Sequence, residues 1–323
     1  MFRFYPSMAL LALLFFAAGC KPDQKANHSA SVESIVKDEH FRAQVQSGNF
    51  VELSGGYTYY EYARGKQPDT LVVMVHGFSV PSYIWDSTYQ AVVASGYGAL
   101  RYDVYGRGFS DNPDVVYDAA LYTNQLSELL NALNISQKIN LMGLSYGGRI
   151  ISAFAFQYPH RIENLIYVDP AGFETILAKE DYPQMVSAQE VEDFINSDAY
   201  ATMARGQLGD FYDPSPFEGW DSRYEEMMKF KGFVRALIST RKNSPSMERE
   251  HQKIGSSDMP VFCFWGKHDT VVPLDDVREN LHLRIPQVQL IEMEDAGHLP
   301  HMEQAALFNH ILIDRIIRKK DDQ

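Results

Sequence analysis

Residues 138–150 read K-I-N-L-M-G-L-S-Y-G-G-R-I, with Gly143-Leu144-Ser145-Tyr146-Gly147 at their centre. The apolar run Ile139 to Leu144 has the length of a buried strand, and the apolar run Ile150 to Phe156 that of a helix. A sharp strand-to-helix turn between them forces the serine into a strained backbone conformation. Gly143 and Gly147 supply the room such a turn needs, and the hydroxyl is held out at the top of a sheet. A Gly-x-Ser-x-Gly pattern also arises by chance in loops. The strand before it and the helix after it set this one apart, and make Ser145 a candidate nucleophile toward a carbonyl.

Serine is a weak nucleophile alone and needs a base held by a third group. This kind of turn takes its partners in the chain order Ser, Asp/Glu, His. Downstream, Pro260 to Gly266 reads as a buried strand, and Asp269 lies just past its end. Val288 to Met293 reads as the last strand, and Gly297-His298 follows on a loop. Asp269 is therefore the expected orienting acid and His298 the expected base. An oxyanion hole is expected from two backbone N–H groups. One belongs to Tyr146, the residue after the serine. The other belongs to Phe78, in the loop His76-Gly77-Phe78-Ser79 after the β-branched run Leu71 to Val75.

These segments resemble the α/β-hydrolase family, which includes esterases, monoacylglycerol lipases, carbon–carbon bond hydrolases and cofactor-free haloperoxidases. The resemblance rests on His76-Gly77-Phe78, Arg101 to Ser110, Gly143 to Gly148, Val168 to Gly172, Trp265 to Asp269 and Gly297-His298, and covers about residues 50–172 and 255–318. It implies an α/β fold with a mostly parallel central sheet flanked by helices. It also implies an acyl-transfer site. The sequence has no Cys/His cluster with metal spacing and no Gly-rich phosphate loop, so no cofactor or metal is expected. Some members of the family carry the acid after an earlier strand, which makes Asp169 the alternative to Asp269. The fold hosts many chemistries, so the resemblance does not name a substrate. The expected activity is that of an esterase or a monoacylglycerol lipase, on a carboxylic ester with a small or medium apolar part. A carbon–carbon bond hydrolase and a perhydrolase share the triad. The former usually carries Gly-Pro in its oxyanion loop, where this chain has Phe78-Ser79-Val80-Pro81. A hydrophobic-ligand receptor with little turnover is the reading from another class.

Neighbouring histidines are expected to be structural. His76 would shape the loop that presents Phe78, His268 would point away from Asp269, and His301 and His310 would pack or face solvent. Asp103 with Gly106 and Gly108 is expected to build a supporting turn.

The N-terminus carries a second signal. Arg3 precedes an apolar stretch, Met8 to Ala18, of eleven residues. That is too short to cross a bilayer and suits a secretory signal. It ends in Ala17-Ala18-Gly19-Cys20, which resembles a bacterial lipoprotein signal, although the pattern prefers leucine where Ala17 stands. The expectation is a signal peptide over 1–19, a lipid on Cys20 and a cell-envelope location. Of the two cysteines, Cys263 would then be a buried thiol without a partner. The formal charge is −13, and becomes −14 when Arg3 leaves with residues 1–19. This argues against nucleic-acid binding and against electrostatic attraction to anionic lipid.

The remaining organisation follows from composition. Residues 20–45 read as a polar tether, with a weak helix from Ile35 to Val45. Residues 46–172 and 255–323 read as the two parts of the core, with Tyr57 to Tyr62 an early strand. Residues 173–254 hold no good strand and read as a helical cap, in which Ser187 and Glu190 form a capping box. Its Phe211, Tyr212, Phe217, Trp220, Met227, Met228, Phe230 and Phe233 are expected mainly to pack the cap, some of them lining an apolar pocket.

Overall fold

The computed structural model describes residues 32–175 and 183–318. Cys20 and the signal peptide expected over 1–19 lie outside these residues. Eight strands form one sheet: β1 (Asn49–Leu53), β2 (Gly56–Ala63), β3 (Gln67–Val75), β4 (Tyr97–Tyr102), β5 (Ile139–Leu144), β6 (Ile162–Val168), β7 (Val261–Gly266) and β8 (Gln289–Met293), in the order β1-β2-β4-β3-β5-β6-β7-β8. The β1–β2 and β2–β4 pairs are antiparallel and the other pairs parallel. This is the expected architecture. Strands covered on both faces must be apolar throughout, and every residue of β4 and β5 is buried.

Helices α1 (Glu39–Gln44), α2 (Asp86–Ala94), α3 (Ala119–Ala132) and α4 (Tyr146–Gln157) precede the insertion between β6 and β7. That insertion carries α5 (Ala188–Ile195), α6 (Asp198–Ala201), α7 (Met203–Gly206), α8 (Trp220–Met228), α9 (Phe233–Lys242) and α10 (Glu248–Gly255). Then come α11 (Leu274–Arg284), α12 (Pro300–Glu303) and α13 (Ala305–Ile311). No strand occurs among the described residues of the insertion, and Ser187 and Glu190 make the reciprocal cap of α5. One apolar cluster packs α3, α4 and α11 on one face of the sheet; the other packs α2, α13 and cap helices. No described helix is long and apolar enough to cross a membrane.

Parallel register aligns the strand ends. Val75 pairs with Gly143, Leu144 with Val168, Val168 with Phe264, and Gly266 with Met293. The loops that follow β3, β5, β6, β7 and β8 therefore emerge side by side at one edge. In open α/β sheets this carboxyl edge is where ligands bind.

Residues 32–45, expected to belong to the tether, are docked on the cap and on the core loop after β4. Ile35 forms a β-bridge with Phe230. The Glu33 carboxylate accepts from Gly232 and Val234 N–H at 3.0 and 2.7 Å, capping the start of α9. Lys37 Nζ donates to the carbonyls of Gly108 and Ser110 and to Asn112 Oδ1. Both charges are used up locally, which is why this stretch looks polar in sequence yet packs.

Candidate active site

Ser145 has φ 50° and ψ −118°, a conformation that costs of order 1–3 kcal/mol in a residue with a side chain. Its surroundings hold it there. Ser145 N–H donates to Val168 O, and its carbonyl accepts from Gly148 and Ala171 N–H, at 2.8–3.0 Å. The flanking glycines are sterically required. A Cβ on Gly143 would lie 2.5 Å from Gly147 O, and one on Gly147 would lie 2.5 Å from Val75 O.

His298 and Asp269 meet as the sequence predicts. His298 Nδ1 and Asp269 Oδ2 are 2.8 Å apart, and both residues are buried. The second oxygen of Asp269 accepts from Val271 and Val272 N–H at 2.7 and 3.0 Å. Trp265 Nε1–H, bonded to Val272 O at 3.0 Å, pins the same loop. Burial pulls the His298 imidazole down, but Asp269, through its charge and hydrogen bond, and Asp210 outweigh it, so the pKa rises above the ordinary 6.5.

Asp169, the alternative acid, sits behind this pair. It is fully buried at φ 40°, and one oxygen accepts from Gly266 N–H at 2.8 Å. Its other oxygen is sealed from solvent with no N–H facing it. Burial, and then the charge of Asp269, push the Asp169 carboxyl well above the usual carboxylate range. The surroundings of Asp169 therefore oppose its charged form. The two carboxyls and His298 could also offer three metal-ligating atoms within 4.8 Å of one another. The atoms of Asp269 and His298 are already engaged with each other and with backbone N–H groups.

The loop after β3 lies against the serine, where a Cβ on Gly77 would be 3.4 Å from Ser145 Cβ. Arg107 Nε holds the Phe78 carbonyl at 2.6 Å and so orients the peptide chain there. Arg107 Nη2 reaches Thr240 Oγ1 of α9 at 3.0 Å, tying this loop to the cap. Tyr146 opens α4, where helix geometry leaves its N–H without a partner in the helix. Ser145, His298, Phe78 and Gly77 all border one cleft of about 180 Å³, with Ile84, Leu144, Val271 and Leu299 as apolar walls.

The supporting residues behave as expected. His76 is buried and accepts from Val104 N–H through Nε2 at 2.9 Å, which makes it a brace for the loop. Asp103 accepts from Ser82 and Phe109 N–H at 2.8 Å and closes its turn. His268 stacks on Tyr212, and His301 packs on Trp85. The eight apolar residues named in the cap do not border the Ser145 cleft. Five of them, Phe211, Trp220, Met227, Phe230 and Phe233, are buried as packing. An adjoining chamber of about 430 Å³ is lined instead by Phe78, Phe194, Met203, Leu237 and Ile238 with polar neighbours. The sequence reading missed Asp210, a cap residue on the wall of the serine cleft.

Comparisons with known proteins agree with this architecture. The family model described as alpha/beta hydrolase fold matches residues 70–305. Lipase 1 of Psychrobacter immobilis is 27% identical over 321 residues, 91% of this chain and 93% of the relative. Among solved structures, an esterase from Exiguobacterium antarcticum superposes with TM-score 0.67 at 22% identity, covering 83% of this chain and 98% of that one. A bromoperoxidase from Bacillus anthracis gives the same TM-score at 21% identity and the same two coverages. The match of the family model over most of the chain, on the sheet and turn described above, means that this protein belongs to the α/β-hydrolase fold family.

Proposed function

We propose that the protein is a carboxylic-ester hydrolase that works by acyl transfer from ester to Ser145 and then to water. The observation that carries this reading is the 2.8 Å bond between His298 and Asp269 beside a strained, cleft-facing serine. His298 takes the proton from Ser145 as the hydroxyl attacks the ester carbonyl. Asp269 fixes the imidazole tautomer and stabilises the imidazolium. The N–H groups of Phe78 and Tyr146 receive the oxyanion, and each such donor is worth about 3–4 kcal/mol. His298 then returns the proton to the leaving alcohol, and water activated by the same base releases the acid. The apolar lining beyond Phe78 suits an apolar acyl chain. The lipase named among the relatives adds to this reading.

The protein is further proposed to be an exported lipoprotein held to a bacterial membrane through Cys20. The apolar stretch ending in Ala-Gly-Cys supports this. A multiply acylated cysteine anchors stably where a single chain does not.

Purified protein assayed on p-nitrophenyl esters of increasing acyl length tests the activity. Turnover that disappears in Ser145→Ala is expected. Turnover that survives in this variant contradicts the proposal. Radiolabelled palmitate fed to expressing bacteria tests the anchor. Label is expected on the full-length chain and not on Cys20→Ser, and equal labelling of both contradicts it.

A further inference from the structure

Four carboxylates gather around His298, and three of them are occupied or sealed. Asp269 spends one oxygen on His298 and the other on two N–H groups. Asp169 is sealed from solvent behind the pair. Glu303 accepts from the N–H groups of Gly297, Tyr212 and Asp213. Asp210 differs. Its residue borders the serine cleft, and its charge interacts with His298 and Asp269. Yet its carboxylate makes no hydrogen bond among the described residues, while its backbone carbonyl accepts from His298 N–H at 2.7 Å. Asp210 is half-buried and its oxygens are not among the sealed, unpartnered atoms, so they stay open to a donor that enters the cleft. A substrate that brings its own O–H groups supplies that donor.

The two ends of the site are chemically unlike. In acyl transfer the imidazole hands its proton to the leaving oxygen, so the alcohol half of an ester lies on the His298 side. Asp210 is tied to that side by its backbone bond to His298. The apolar chamber meets the cleft at Phe78 and shares no other wall residue with it. An acyl half directed past Phe78 would meet apolar walls, and an alcohol half on the His298 side would meet the Asp210 carboxylate.

We infer that Asp210 recognises the alcohol half of the substrate, and that the preferred substrate is a monoester of an apolar acid with an alcohol carrying a free hydroxyl beside the ester bond. The hydroxyl donates to the Asp210 carboxylate. Glycerol monoesters have this chemistry, and simple alkyl esters of the same acid lack it. A free carboxylate here also disfavours an alcohol half that bears a negative charge. Burial raises Asp210 to about 6 against the pull of His298, so the group is ionised above that pH and loses acceptor strength below it. The inference rests on the ester-hydrolase reading and adds the substrate class to it.

The test compares kcat/KM for glycerol monolaurate and ethyl laurate, in the purified full-length protein and in Asp210→Ala and Asp210→Asn. The ratio of glycerol to ethyl ester is expected to exceed one in the natural protein. It should fall roughly tenfold to a hundredfold in Asp210→Ala, the range for a hydrogen bond to a charged group. Asp210→Asn, the same size but uncharged, should lower the ratio as well and guards against a folding defect in the smaller variant. The ratio in the natural protein should also decline below pH 6. Parallel loss on both esters would mean that Asp210 acts through His298, and would overturn the inference. A natural protein that cleaves both esters equally overturns it too, while leaving ester hydrolysis intact. Cleavage of neither ester, with no turnover of p-nitrophenyl esters, overturns both.

Discussion

Ser145, Asp269 and His298 hang from the ends of strands that the sheet holds in register, whereas Asp210, which borders the same cleft, comes from a short turn after α7. The strand ends are buried and cross-bonded, and β4 and β5 expose nothing. The cap is looser. Helices α5 and α6 contain no buried residue, and the cap reaches the site through a few bonds, such as Thr240 to Arg107 and Ser244 to Tyr146. A 1 Å shift at the strand ends would ruin proton transfer, so that edge must be rigid. A similar shift in the cap changes which substrate fits. On the proposed function, the difference assigns chemistry to the sheet edge and selectivity to the cap.

That division can be broken by experiment. Removing the base, His298→Ala, should lower kcat by about a millionfold, to the same extent for every ester tested. A loss confined to some esters would move the cleft histidine to the selectivity side. Next in size, Asp269→Asn should cost about 10⁴ in kcat by leaving the imidazole in the wrong tautomer. Asp169→Asn should cost less than about tenfold, because the His298 bond goes to Asp269 and an amide oxygen can also accept from Gly266 N–H. Equal losses in the two variants would show that the carboxyls share the role of acid.

The pH dependence comes next. Since the His298 pKa is raised, the free enzyme carries a protonated, inactive base until the pH passes a value above 6.5. With a neutral alkyl ester, kcat/KM should rise about tenfold per pH unit below that point and level off above it. An inflection well below 6.5 would contradict the pairing with Asp269. The smallest effect belongs to the cap. Leu237→Ala in the apolar chamber should weaken long-chain esters about tenfold relative to short ones, the order set by lost apolar contact. A uniform loss at all chain lengths would place the chamber outside the substrate path.

The parts of the molecule that follow local rules were legible before any coordinates. Gly143 and Gly147 betray the elbow because no other residue leaves room for it. The apolar runs before Asp269 and His298 mark them as residues at strand ends. Asp210 could not be found this way. It sits in the stretch Gln207-Leu208-Gly209-Asp210 with no motif, and it gains its position through a backbone bond to His298, far away in sequence. The raised pKa of Asp169 was equally hidden, since it depends on burial and on a second carboxyl brought up by β7. Glu33 and Lys37 read as tether because their partners, mostly backbone groups, lie far away in sequence and leave no trace in composition.

The central claim is that Ser145 is the one activated nucleophile of this protein. Reaction with a fluorophosphonate probe, followed by peptide mapping, tests it most directly. The account predicts a single adduct on Ser145 that disappears in His298→Ala. An unlabelled protein, an adduct on another residue, or labelling of Ser145 that persists without His298 would contradict it.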